Sequence, residues 1–360
     1  TSAHSGVAST FQVKTTGAPP ANIFRLTGTV PTGVTIDNTG LISIASNTLA
    51  GNYSFAVEAD NGIVTPSIQP FTLEVFGPPS IISSNNASFT IGTASSFNFA
   101  ATGNPNTFTF STSDALPAGL TLSALGVLSG TPEDGSSGSF VVDVKAFNGA
   151  SSTSQSFTIQ IAKAASSVNL VLGSNNSVNP GTSVTLTATV TGGAGGKGGL
   201  MTFKDGSTVI GTAKVDPTTG VAIFSTDSLA SGSHALTAEY SGNSAYLASS
   251  SNSVTQVVRT VSTTTVTSSN LSAAYQSSVT LTATVSSTSA TGTVNFFDGT
   301  TLLASVAATN GVATFTTSAL SAGLHSITAA YNGDSNFTTS TSSPVNQSVI
   351  ATSATSVSSS

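Results

Sequence analysis

Along this chain apolar residues alternate with polar ones, and no window carries a sustained 3.6-residue period. Val184, Leu186, Ala188 and Val190 fall on one face, with Thr185, Thr187 and Thr189 between them. Tyr53, Phe55, Val57 and Ala59 stand opposite Ser54, Ala56 and Glu58. Phe140, Val142, Val144 and Ala146 repeat that layout against Asp143 and Lys145. Successive side chains of a strand point to opposite faces, so a period of two predicts antiparallel strands with one face buried. Between the runs, Asn61-Gly62, Asn148-Gly149, Asp205-Gly206 and Asp298-Gly299 supply residues that accept the positive φ of tight hairpins. The expected class is all-β.

The pattern repeats in two different ways. SVTLTATV occurs at 183–190 and again at 278–285, and FKDG (203–206) returns as FFDG (296–299). GVAIF (220–224) returns as GVATF (311–315), and LASGSHALTAEYSGNSAY (229–246) as LSAGLHSITAAYNGDSNF (320–337), displaced by 91 residues. The first half holds another pair: PTGVTI (31–36) with PAGLTL (117–122), GNYSFAVEADNG (51–62) with GSFVVDVKAFNG (138–149), and FTLEV (71–75) with FTIQI (157–161). GPPS (77–80) opens the second copy, where two prolines resist continuing a strand. Modules of this length with many short strands predict β-sandwiches. The expectation is four tandem Ig-like β-sandwich domains in a rod: 1–76, 77–162, 163–259 and 260–350, followed by 351–360. Four such sandwiches end to end would span on the order of 150 Å.

At these residues the chain resembles known families. SVTLTATV, F-x-D-G, G-V-A-x-F, the Gly-x-His strand and Tyr-x-Gly-Asn/Asp-Ser resemble the bacterial Ig-like repeats of surface proteins. The module with P-x-G-[VL]-T, a Gly-started strand and A-x-N-G is similar to the cadherin-like Ig domains found beside such repeats. The resemblance implies extracellular stalks, adhesins, filaments or non-catalytic parts of secreted hydrolases, and does not choose among them.

Composition narrows the chemistry. Of 360 residues only 8 are Lys or Arg and 14 Asp or Glu, with 3 His, no Cys, no Trp and a net charge of −6. Ser and Thr make up roughly a third. Phosphate binding needs clustered cations, so nucleic acid is not an expected partner. Without Cys there are no disulfides, thiolate metal sites or thiol nucleophiles. No run approaches the length of a membrane span. Thr1 in place of Met and the lack of a signal peptide suggest a processed chain or a fragment, and the composition points outside the cell or to its surface.

The candidate catalytic features have simpler readings. His234 and His325 occupy equivalent positions and share strand parity with core residues, and no acidic partner recurs beside both. A hydrogen-bonded imidazole at the core edge is expected there. GGAGGKGG (192–199) lacks the Walker spacing, because Thr191 and Gly198 stand where Gly and Ser/Thr are needed, so a loop between strands is expected. Glu58 and Asp60 could offer oxygens to calcium, but the sister copy has Lys145 and Phe147 there. Asn243 and Asp334 read as turn formers. No G-x-S-x-G occurs, and carboxylates are too sparse for a glycosidase pair. No catalytic residue, cofactor or metal is expected. The six sequons, at Asn52, Asn86, Asn175, Asn270, Asn336 and Asn346, are no more than chance supplies.

The ends carry the most specific signal. GVASTF (6–11) aligns with GTASSF (92–97), but the second copy has SIISSNNASFTI (80–91) ahead of it and the first has only five residues. The first domain is therefore expected to lack its first strand. VNQSVIATSATSVSSS (345–360) matches VTQVVRTVSTTTVTSS (254–269), so 351–360 reads as a first strand without a domain. Either the chain is a segment of a longer array, or 351–360 fills the open groove of the next subunit's first domain, making a head-to-tail filament. Ala351, Ala354 and Val357 are the candidate donor contacts, with Phe11 in the acceptor domain. Phe147 and Phe297 replace charges (Asp60 and Lys204) of their sister copies and are candidate packing contacts between domains or subunits. A structural or adhesive role is expected, with the accessory region of a secreted hydrolase or long adhesin as the alternative.

Overall fold

A computed structural model describes residues 1–173, 175–193 and 195–351. Every regular element among the described residues is a β-strand. The strands fall into two compact units. One holds Thr1–Ala165 with Gly192–Gly196 and Ser244–Leu247, the other Ser166–Thr191, Lys197–Asn243 and the residues from Ala248 on.

The first unit begins with β1 (Ser2–His4), β2 (Ser9–Gln12), β3 (Ile23–Gly28), β4 (Val34–Ile36), β5 (Leu41–Ile44), β6 (Gly51–Asp60) and β7 (Ser67–Phe76). They make a sheet in the order β1-β7-β6-β3 and a second in the order β2-β5-β4. Phe55, Val57, Leu73 and Val75 from one sheet meet Val34, Ile42 and Ile44 from the other in a single apolar core. These are the alternate positions of the sequence pattern, so the period of two is what closes the sandwich. Ser2–His4 run parallel to β7, with Ala3 opposite Val75. A short strand thus stands where the comparison of the two copies expects none.

The unit continues with β8 (Ser80–Ile81), β9 (Asn86–Thr90), β10 (Ser95–Asn98), β11 (Ala101–Thr102), β12 (Thr109–Thr112), β13 (Leu120–Leu122), β14 (Val127–Gly130), β15 (Gly138–Phe147) and β16 (Ser152–Ala162). The orders are β12-β15-β16-β9, β10-β14-β13 and β11-β8. Phe97, Phe99 and Phe157 pack ring against ring, 4.7 to 5.0 Å between centroids. β9 runs parallel to β16 with Phe89 opposite Ile161, the counterpart of Ala3 opposite Val75. In the second copy β8 precedes this strand, lies antiparallel on β11 and also touches β16. The strand is split in two, and its second half is present in both copies.

The second unit contains β17 (Ser166–Leu172), β18 (Ser177–Val178), β19 (Val184–Gly192), β20 (Gly199–Asp205), β21 (Thr208–Val215), β22 (Val221–Thr226), β23 (Gly232–Tyr240), β24 (Ser249–Ser250) and β25 (Val254–Val258). Then come β26 (Thr264–Ser268), β27 (Ser272–Ala274), β28 (Val279–Val285), β29 (Thr293–Asp298), β30 (Thr301–Ala307), β31 (Val312–Thr317), β32 (Gly323–Tyr331), β33 (Ser340–Thr341) and β34 (Val345–Ile350). The same layout occurs twice: β17-β19-β22 with β18-β25-β23-β20-β21, and β26-β28-β31 with β27-β34-β32-β29-β30. Val279, Leu281 and Ala283 face Val294, Phe296, Ile327 and Tyr331 across the last core. β20 and β29 each shift register after the inward phenylalanine, between Phe203 and Lys204 and between Phe296 and Phe297. Asp205-Gly206 and Asp298-Gly299 close the following hairpins with Gly φ of 56° and 55°, a conformation glycine takes without steric cost.

Candidate functional site

The paired histidines sit alike. His234 Nδ1 lies 2.7 Å from Asp205 Oδ2, and its Nε2 lies 2.7 Å from the Ala230 carbonyl. His325 Nδ1 lies 2.6 Å from Asp298 Oδ2, and its Nε2 lies 2.8 Å from the Ser321 carbonyl. An acidic partner therefore does recur beside both, against the sequence expectation. It is the aspartate of F-x-D-G, whose turn role hid its second one. Each ring nitrogen faces an acceptor, and a neutral imidazole donates from only one, so the arrangement favours the cation. Burial alone would push both imidazoles down; the hydrogen bonds and the aspartate charge outweigh it and leave both raised. Each pair ties a hairpin turn to the loop before β23 or β32.

The other candidates resolve locally. Asp334 accepts hydrogen bonds from the Asn336 and Phe337 N–H groups and from Thr291 N and Oγ1. Burial raises its carboxyl, but these bonds prevail and hold it at about 2. Asn243, in the equivalent loop, donates to the Gly198 carbonyl at 2.8 Å. Both tie their loop to the strand start across the sandwich end, one as acceptor and one as donor. Glu58 and Asp60 are engaged by Arg25, at 2.8 and 4.0 Å. In the glycine-rich loop, Gly196 N–H donates to Asp134 Oδ2. No group of three or more His, Asp or Glu capable of holding a metal occurs among the described residues.

Of the candidate contacts, Phe11 lies on the edge strand β2, 39% exposed, with its ring edge-on to Phe71 at 5.4 Å. Phe147 ends β15, opposite Thr109 and Ser152, and is 42% exposed. Phe297 is half-buried on the outward face, opposite Leu302 and Thr328. Its sister Lys204 pairs with Glu239 at 2.6 Å; in the last copy Phe297 and Ala330 stand at those two positions, so the ion pair has no counterpart there. The three aromatics lie on separate strands. Ala351 is exposed, while Ala354 and Val357 lie outside the described residues.

The first sandwich also carries a groove. It holds about 480 Å³ between Val13–Pro19 on one side and the end of the β6–β7 hairpin on the other. Val57 and Ala59 line it from β6, and it opens between Ile63 and Val64, which are 71% and 64% exposed. A second cavity lined by Phe11, Gln12, Val57 and Phe71 continues along β7. Following Asn-Gly, the second copy has Ala150 and Ser151 in place of Ile63 and Val64. Ile68, exposed beside them and opposite Glu58, is replaced by Ser154, opposite Lys145. The first copy thus exposes aliphatic side chains where its sister has small or polar ones. Those three residues escape the sequence reading because they sit in a hairpin end; comparing IVTPSI with ASSTS would have exposed the contrast.

A family model described as "Bacterial Ig-like domain (group 3)" matches residues 171–259 and 266–350, and one described as "Putative Ig domain" matches residues 78–162. No curated protein matches the chain. Among solved structures, the chain is similar to the fibronectin(III)-like modules of Clostridium thermocellum CbhA, at 17% identity over 51% of this chain and 93% of that one, TM-score 0.31. It is similar to an I-band fragment of titin, at 15% identity over 76% and 99%, TM-score 0.39. Immunoglobulin domains 1 to 4 of Sidekick-1 align at 11% identity over 98% and 96%, TM-score 0.31.

Proposed function

Residues 171–259 and 266–350 belong to the bacterial Ig-like domain family and residues 78–162 to the second Ig family matched, and from that premise we propose that the chain is a non-catalytic structural or adhesive segment displayed outside the cell. Its division is 1–76, 77–162, 163–259 and 260–350, with 351–360 as a donor strand. The finer reading is a head-to-tail filament in which 351–360 of one subunit completes the first sandwich of the next. The groove between Val13–Pro19 and the β6–β7 hairpin carries this reading. An open sheet edge beside exposed aliphatics is a template for strand addition. A heterologous contact of this kind extends without closing.

Negative-stain microscopy of the native material tests it. Fibres are expected, and deleting 351–360 is expected to abolish them. Undiminished fibres after the deletion would sink the donation.

A further inference from the structure

The last sandwich has an open edge on its flank. β30 (Thr301–Ala307) closes one side of the sheet β27-β34-β32-β29-β30, and β34, which ends this sandwich, lies toward the other side. Ala308 N–H donates to the Gly292 carbonyl, continuing the ladder that sets Val306 opposite Val294 and Ala304 opposite Phe296. Antiparallel bonds alternate in direction, so the Ser305 and Ala307 backbone groups turn to the open side. Among the described residues no backbone hydrogen bond meets them there. Ser305 and Ala307 are exposed, Ala304 and Val306 half-buried and Ala308 buried, a regular alternation. Val306 packs against the core and still reaches solvent at the edge.

β21 is the same edge of the preceding repeat, and it is guarded. Ala213, opposite Met201, stands where the last copy has Val306 opposite Val294. Lys214, opposite Leu200, stands where the last copy has Ala307 opposite Thr293. On the two strands next to that edge, Phe297 and Ala330 occupy the positions of Lys204 and Glu239. The last edge therefore has the larger apolar side chain and lacks the cation beside it. Lysine on an edge strand deters pairing with another chain. The acids of the last copy, Asp298 and Asp334, turn to His325 and Thr291 and guard nothing here.

The chemistry of this edge suits a second copy. Across a two-fold axis each group near the axis meets its own counterpart, so a charge there would face its like. β30 carries none. With Val306 on the axis, Ser305 falls opposite Ala307 of the other copy and Ala304 opposite Ala308, so inward side chains stay on one face and outward ones on the other. Lysines at position 307 would instead stand diagonally, about 7–8 Å apart.

We propose that two copies of the chain associate side by side through β30, paired antiparallel about Val306. The Ser305 and Ala307 N–H groups of each copy donate to the carbonyls opposite, and the two Val306 side chains cover one another. The pairing stands apart from the head-to-tail reading, since it uses neither end of the chain.

The chain has no cysteine, so engineered thiols report the register. Full chains carrying Ser305→Cys and Ala307→Cys are mixed in equal amounts and oxidised. Opposite residues of a bonded pair lie about 5.5 Å apart at Cα, within disulfide reach. The mixture is expected to give a covalent dimer at a yield well above that of either variant alone. Thr212→Cys mixed with Lys214→Cys, the same positions of the sister edge, should give no such excess. In sedimentation, Ala307→Lys is expected to weaken dimerisation by about tenfold or more, with its urea midpoint unchanged. No excess of crosslink in the first mixture, or an equal excess at the sister edge, overturns the pairing. Undiminished dimerisation of the Ala307→Lys chain overturns the edge as the contact. Monomers at every concentration overturn the second copy as the partner. Fibres without the Ser305–Ala307 crosslink overturn this pairing and leave the filament reading standing.

Discussion

At the scale of single residues, the two His–Asp pairs set a pH dependence. Both imidazoles are raised above 6.5 in the folded chain. A group raised on folding gives stability that is complete below its unfolded value and is lost as pH rises through the folded one. The charged group facing His234 is Asp205 and that facing His325 is Asp298. Urea unfolding of the last two sandwiches is expected at a higher midpoint at pH 5.5 than at pH 8.5, and the combined substitutions His234→Gln and His325→Gln should flatten that difference. A wild-type midpoint that does not change over this window would show that the clips do not titrate as placed. The parity of both histidines was legible in the sequence. Their partners were not, because 29 and 27 residues separate His234 from Asp205 and His325 from Asp298, and only the β20–β23 and β29–β32 pairings bring them together.

At the scale of elements, the alternation of apolar and polar positions carries the stability. Leu186 on β19 and Leu281 on β28 are fully buried at equivalent sites of the repeat. Truncating such a leucine loses transfer energy and leaves a cavity, at a cost of about 2–5 kcal/mol. Leu281→Ala is expected to lower the stability of its own sandwich by that amount in denaturant titration while the Leu186 sandwich keeps its midpoint. Equal loss in both would mean that the two unfold as one body. The split first strand belongs to this scale too. Ser2–His4 hold to β7 through three paired positions, too short a run to announce itself against the Ser- and Thr-rich background. The alignment of the copies predicted no strand ahead of Gly6, yet the residues Ser2–His4 form one.

At the scale of the whole molecule, the shortage of charge sets how the proposed assembly would respond to salt. After Arg259 no Lys or Arg follows, and the acidic residues are Asp298 and Asp334 alone. Asp298 is turned to His325 and Asp334 to its own loop, so neither guards an edge strand as charges commonly do. Assembly that proceeds through backbone pairing and apolar filling is screened little by ions. Sedimentation between about 50 and 500 mM sodium chloride should therefore change the association constant less than about threefold. A steep fall with salt would point to ion pairs as the adhesive element instead.

The sequence by itself determined the all-β class, the two kinds of repeat, the hairpin turns and the faces that are buried. All of these follow from local alternation and turn chemistry, which the chain states residue by residue. The tertiary structure decided what depends on strands meeting across long separations. It placed the aspartates on the histidines, paired Lys204 with Glu239, and formed the groove beside the β6–β7 hairpin. Residues as far apart as Val13 and Val64 line that groove only once both sheets are folded.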